Sequence, residues 1–157
     1  MYKRILMAAD GSREGMVALR EGALLAQTYQ AKVFLLVVVR ETTTTLIADG
    51  VHPTQRNLDH EALLQLGLQR LGRLGIEATG QALVGEPAEA ISAYTKRFKA
   101  GLLVLGHPKQ GLLDRWWSGA SGAFLSDNVS CSVLIARNII SDEEFERNLP
   151  ELATQPN

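Results

Sequence analysis

Five short apolar runs punctuate this chain, each closed by turn residues and most separated by stretches of helical periodicity. Ile5-Leu6-Met7-Ala8-Ala9 ends on Asp10-Gly11-Ser12 and reads as a buried strand followed by a turn. From 12 to about 29, Met16, Leu19, Ala23 and Ala26 recur at helical spacing behind Ser12, a suitable N-cap. Residues 32–39, Lys-Val-Phe-Leu-Leu-Val-Val-Val, are β-branched and nearly all apolar, which suits a strand buried on both faces of a parallel sheet. Residues 40–57 break every period through the threonine run at 42–45, Asp49-Gly50, Pro53 and Asn57, and predict a loop. A helix is expected over about 58–74, with Leu64, Leu68 and Leu71 on one stripe and Gly75 at its C-terminal end.

The second half repeats the alternation. Residues 76–84 predict the third strand, and Gly85-Glu86-Pro87 starts a helix whose inward positions are Ile91, Tyr94 and Phe98. Leu102-Leu103-Val104-Leu105 is the fourth strand, stopped by Gly106. A loop punctuated by glycine and serine follows to Gly119, then a helix over about 119–129, then a fifth strand, Ser132-Val133-Leu134-Ile135-Ala136. Strands alternating with helices at this spacing predict a parallel open sheet with right-handed crossovers and helices on both faces. Residues 1–137 read as one domain. Residues 138–157 form an extension in which Ser141 and Glu144 suit a capping box, giving a short helix over about 141–148 and disorder beyond.

Composition narrows the function. The 157 residues carry 16 Lys+Arg against 17 Asp+Glu, and this balance of −1 argues against duplex nucleic acid, which needs a basic surplus. The single cysteine, Cys131, excludes a disulfide framework or a cysteine zinc cage and suits a reducing compartment. Its expected role is a half-buried filler, since no basic neighbour activates the thiol. No apolar run approaches the ~20 residues of a membrane span, and no signal peptide precedes the first strand, so a cytoplasmic protein is expected. The histidines His52, His60 and His107 show no metal-ligand spacing. Trp116 and Trp117 adjoin, so one is expected in the core and the other at an interface or lid.

In an open parallel sheet, ligands sit beyond the carboxyl ends of the strands where the winding reverses. For the order 3-2-1-4-5 that point lies between strands one and four, and the loops there hold Asp10-Gly11-Ser12 and the segment from Gly106 to Ser121. Glycines let backbone amides approach a phosphate, a helix starting near Gly119 points its amides the same way, and an acid accepts ribose hydroxyls. The equally available bland reading makes the glycines turn formers and Asp10 a helix-start residue. On the functional reading, the crest holds the only ligand-sized cleft, lined by Asp10, Val38, Leu105, Gly106 and Gly119.

The opening 2–12, together with Leu35-Leu36-Val37-Val38, Val84-Gly85-Glu86-Pro87, Leu103-Val104-Leu105-Gly106 and Ser132-Val133-Leu134-Ile135, resembles the universal stress protein family over about residues 2–137. The resemblance implies a five-stranded Rossmann-like sheet of the adenine nucleotide alpha hydrolase type, ordered 3-2-1-4-5. It also implies a homodimer built on the last strand, here Val133, Leu134 and Ile135. Many members bind ATP or a related nucleotide through a glycine, two residues, a second glycine, nine residues, then glycine and serine or threonine. Gly106 and Gly119 match the first and third glycines, whereas Lys109 replaces the second and Ala120 the hydroxyl residue. Asp10 matches the nucleotide-contacting acid, Val38 an adenine-side residue and Leu105 the residue before the first glycine. Ala8 stands where a proline is frequent, and Gly101 where an aspartate usually opens strand four.

Lys109 and Arg115 offer charge to a phosphate, and Ser118 or Ser121 a replacement hydroxyl. The nucleotide-site set expected from the resemblance is therefore Ala8, Asp10, Val38, Leu105, Gly106, Lys109, Gly119, Ala120 and Ser121, with ATP or AMP as ligand and Mg²⁺ accompanying ATP. A second branch lacks the glycine pattern, binds no ATP and still dimerises, and its Gly-His pair and aromatic-rich stretch resemble Gly106-His107 through Trp116-Trp117. Both branches stay open, and an enzyme of another kind on the same fold is the remote alternative. No Ser/His/Asp arrangement or carboxylate pair is visible, so the expected role is non-catalytic, with slow nucleotide hydrolysis still open.

Overall fold

The protein, described here from a computed structural model, is defined over residues 1–39, 53–106, 127–138 and 140–149. Its strands are β1 (Arg4–Ala9), β2 (Lys32–Val39), β3 (Ala78–Val84), β4 (Leu102–Gly106) and β5 (Ser132–Ala136). They form one five-stranded sheet in the order β3-β2-β1-β4-β5, every pairing parallel. The helices are α1 (Arg13–Ala18), α2 (Arg20–Thr28), α3 (Pro53–Arg73), α4 (Pro87–Phe98) and α5 (Asp142–Glu146). The expected α/β fold and strand order are therefore both present.

The nearly continuous apolar character of β1, β2 and β4 follows from burial on both faces. Alternate side chains serve different layers. Ile5, Met7, Val33, Leu35 and Val104 pack beneath Leu19 and Ala23 of the α1–α2 segment and Leu64 and Leu71 of α3. Leu6, Ala8, Leu36, Leu103 and Leu105 pack on the other side against Ala88 and Ile91 of α4. At ~1.5–3 kcal/mol for each large apolar side chain buried, these three strands dominate the stability.

Helix boundaries depart from the sequence reading in informative ways. The 12–29 segment is two helices meeting at Leu19, each drawn close to β4 by a glycine contact. The Gly15 carbonyl lies against Gly106, and a Cβ on Gly22 would stand 2.8 Å from Val104 Cγ1. The loop expected to reach residue 57 ends earlier, because Pro53 opens α3, a position where its missing N–H costs nothing. Gly75 (φ +75°) terminates that helix, with Ile76 N–H donating to Leu71 O at 3.1 Å. The third strand begins at Ala78 rather than 76, the residues before it completing this turn. Of the helix expected over 119–129, only 127–129 fall among the described residues, with 127 and 128 helical and 129 already outside the helix.

The C-terminal extension docks on the helical face above β1 and β2. Ser141 caps α5, accepting from Glu144 N–H at 3.1 Å, and the helix closes by 146 instead of 148 as Asn148 and Leu149 enter tight turns. Phe145 is buried against the core, under the Arg20 guanidinium. Arg20 donates to Ile140 O at 2.7 Å and pairs with Asp142, Asn138 Nδ2 donates to Glu21, and Gln27 Nε2 donates to Asn148 O at 2.8 Å. The described part of the extension, through Leu149, thus docks on the α1–α2 segment and not on the β5 edge, and Val133 is exposed.

Candidate functional site

The register places the two special loops side by side. Ala8 pairs with Leu105, so Asp10, just past the end of β1, lies beside Gly106, the last residue of β4. Asp10 Oδ1 accepts from Ser12 N–H at 3.0 Å and from Ser12 Oγ–H at 2.6 Å, while Ser12 Oγ accepts from Gly15 N–H at 2.9 Å. This chain of bonds fixes the carboxylate and starts α1. Asp10 Oδ2 is buried and has no hydrogen-bond partner among the described residues. A buried carboxylate oxygen left without a donor costs about 1–3 kcal/mol or more, so it marks a place for a donor such as a hydroxyl or amino group.

Two glycines make the crest tight. A Cβ on Gly106 would stand 2.5 Å from the Gly15 carbonyl oxygen, and one on Gly15 would overlap Asp10 Oδ1. Gly11 adopts φ +80°, and a Cβ there would meet Val39 at 2.9 Å and His60 at 3.1 Å. At these positions only a residue without a side chain lets the segments approach so closely.

The remaining expected site residues fall into two groups. Ala8, Val38 and Leu105 are fully buried, their side chains packed in the cluster beneath α4, so they border the crest from below and leave only main-chain groups for a ligand. Lys109, Gly119, Ala120 and Ser121, with His107, Trp116 and Trp117, lie outside the described residues. Sequence reading missed His60, which reaches Gly11 and lines, with Glu61, Ala82, Leu83 and Val84, a cleft of about 290 Å³ beside the crest. Its signal was present: His60 precedes Leu64 and Leu68 at steps of four, on the inward stripe of α3.

The expectation that the crest holds the only ligand-sized cleft is corrected. A cavity of about 250 Å³ lies between the sheet and α1–α3, walled on one side by α5. Among the described residues no cluster of three or more His, Cys, Asp or Glu is placed to hold a metal ion, and no helix is long and apolar enough to cross a membrane.

Cys131 precedes β5 and packs against the α4-side cluster. Burial raises its thiol pKa, outweighing backbone hydrogen bonds at Leu103 and at its own amide that act in the opposite direction. The thiol form is favoured in the folded state, so its contribution to stability is full below the ordinary thiol pKa and is lost as pH rises past the folded value. Iodoacetamide should therefore alkylate Cys131 several-fold more slowly at pH 8 than a free thiol, and a rate equal to that of the urea-unfolded chain would contradict this.

Comparison with known proteins adds a family. The model of the universal stress protein family matches residues 1–137. Universal stress protein YxiE of Bacillus subtilis is 28% identical over 148 residues, covering 87% of this chain and 100% of that protein. Among solved structures, the universal stress protein of Archaeoglobus fulgidus in complex with dAMP superposes with a TM-score of 0.61 at 18% identity, covering 87% of this chain and 98% of that one. A universal stress protein family member of Arabidopsis thaliana with AMP bound gives 0.60 at 17% identity, covering 90% and 97%.

Proposed function

The chain belongs to the universal stress protein family, and from that premise we propose that it is a non-catalytic stress-response or signalling module binding an adenine nucleotide, ATP or AMP, at the β1–β4 crest. The observation carrying this reading is the Asp10 carboxylate, held through Oδ1 by Ser12, with a buried Oδ2 that has no donor among the described residues, where the sheet order reverses. That oxygen suits a ribose hydroxyl or an amino group of the base. The dAMP and AMP held by the two structural relatives support the ligand class. Gly106 contributes close backbone approach, and Lys109 supplies charge for a phosphate in place of the missing glycine. Mg²⁺ enters with ATP, carried on its phosphates. No hydrolytic role is assigned, because Asp10 is committed to Ser12 and no second carboxylate joins it at the crest among the described residues. The assembly proposed is a homodimer through β5, by Val133, Leu134 and Ile135.

One feature favours a second reading, a dimeric member that binds no nucleotide: Lys109 and Ala120 stand where the family's binding pattern has glycine and a hydroxyl residue. Denaturing the purified protein and assaying the released nucleotide by chromatography separates the two. Adenine nucleotide approaching one equivalent is expected, and a nucleotide-free protein that also fails to take up ATP or AMP in calorimetry would select the second reading. Given binding, Asp10→Ala should weaken it by about 1–3 kcal/mol, the range for a lost hydrogen bond to a charged group. Asp10→Asn, which retains an acceptor for Ser12, should lose a similar amount while keeping the wild-type melting temperature within a few degrees.

A further inference from the structure

The cavity on the α1–α3 face is separate from the crest and has its own chemistry. Its apolar lining includes Met7 and Leu35 from the sheet, Met16 and Leu71 from the helices, and Phe145 from the docked extension. At about 250 Å³ it exceeds the ~150 Å³ apolar cavity that admits a benzene ring. Its methionines adapt to different ligand shapes.

Around this lining stand three cations and one anion: Arg13, Arg20, Arg70 and Asp142. Neither Arg13 nor Arg70 has an ion-pair partner among the described residues. Arg20 is held in place, its side chain only 11% exposed, with Ile140 O taking Nη1 and Asp142 Oδ1 taking Nη2. Its Nε is buried with no hydrogen-bond partner among the described residues. Asp142 thus engages the guanidinium through a single oxygen, although the fork of Nε and Nη donors accepts a carboxylate through two. The cavity therefore combines an apolar body site with an excess of positive charge at its edge and one unused buried donor.

We propose that this cavity binds a small amphipathic carboxylate, of the medium-chain fatty acid class, its tail between Met7, Met16 and Leu35 and its head on the arginines. An anionic head answers the charge excess, and one of its oxygens can accept from Arg20 Nε, the donor left unused there. Neutral amphiphiles of the same length lack the attraction to the arginines. The site is independent of nucleotide binding at the crest.

The full-length protein labelled with ¹³C at its methionine methyls provides the test, titrated with decanoate below its micelle concentration. Met7 and Met16 should shift in a saturable one-to-one manner, while Met1, which is exposed, should not. Decanol should bind at least about tenfold more weakly, and Arg70→Gln should weaken decanoate by about tenfold, the scale of one hydrogen bond to a charged group. Arg13→Gln serves as an independent variant should Arg70→Gln fold poorly. The proposal fails if Met7 and Met16 show no saturable shift at millimolar decanoate, if decanol binds as well as decanoate, or if neither arginine variant changes the affinity. Decyl phosphate binding without decanoate binding would also overturn the carboxylate assignment.

Discussion

Gly106→Ala should cost about 1–3 kcal/mol of stability and also weaken adenine nucleotide binding, whereas Gly80→Ala should cost a comparable amount and leave binding unchanged. Both glycines are close-contact positions with backbone as the obstacle. A Cβ on Gly106 would stand 2.5 Å from the Gly15 carbonyl oxygen and 3.3 Å from Leu19. One on Gly80 would overlap the Leu35 carbonyl oxygen and lie 2.7 Å from Leu64. Carbonyl oxygens cannot rotate aside as the end of a side chain can, so in each case a whole element must move. The consequence differs because the elements differ. At Gly106 the element is α1, whose Gly15 amide bonds Ser12 Oγ, which in turn bonds Asp10. Displacing α1 disturbs the carboxylate directly. At Gly80 the movement separates β3 from β2 and presses on α3, away from that chain of bonds. Urea denaturation of both variants, with calorimetric titration of AMP or ATP, reads the two effects separately. Equal affinities in the two variants would show that Gly106 serves packing alone.

The contrast between these glycines also explains what could be read from the sequence. Strand identity was legible because burial on both faces leaves long apolar runs, as at residues 32–39, and their alternation with helical periods admits few topologies. The order β3-β2-β1-β4-β5 came from the family resemblance instead, and with it the expectation that the loops after β1 and β4 meet at one crest. Close contact, by contrast, depends on which atoms meet across the fold, and composition does not encode that. Gly106 drew attention as part of a motif, yet nothing nearby in sequence pointed to Gly15 as its neighbour. His60 was passed over because it lies next to an irregular stretch, although its phase with Leu64 and Leu68 faced it inward. The cavity beneath Phe145 escaped for another reason. It exists only once the extension from Asn138 has returned to α2, and the partners Arg20 and Asp142 are separated by over a hundred residues. Within the crest, Asp10 and Gly106 are placed by the sheet itself, while Lys109, Gly119, Ala120 and Ser121 lie outside the described residues.

Val133→Asp should convert the protein from dimer to monomer at micromolar concentration. β5 is last in the sheet order, so one row of its backbone groups faces away from β4. Val133 on this strand is 38% exposed, and neither proline nor an inward charge interrupts the strand. A bare apolar edge of this kind pairs readily with another strand, and pairing with its own copy about a two-fold axis satisfies both edges at once. The described part of the extension does not compete for that edge, because Arg20, Glu21 and Gln27 hold it on the helical face. Two-fold symmetry brings each substitution in twice, so a pair of aspartates would be desolvated near each other in place of two valines. Like charges on neighbouring strands oppose pairing, and the loss of apolar contact adds to it. Thr79→Asp, at an exposed position on the opposite edge strand, introduces the same charge without touching β5 and should leave the dimer intact. Sedimentation velocity on the wild type and both variants decides the matter. A wild type already monomeric at these concentrations, or a dimer that survives Val133→Asp, would rule out β5 as the interface.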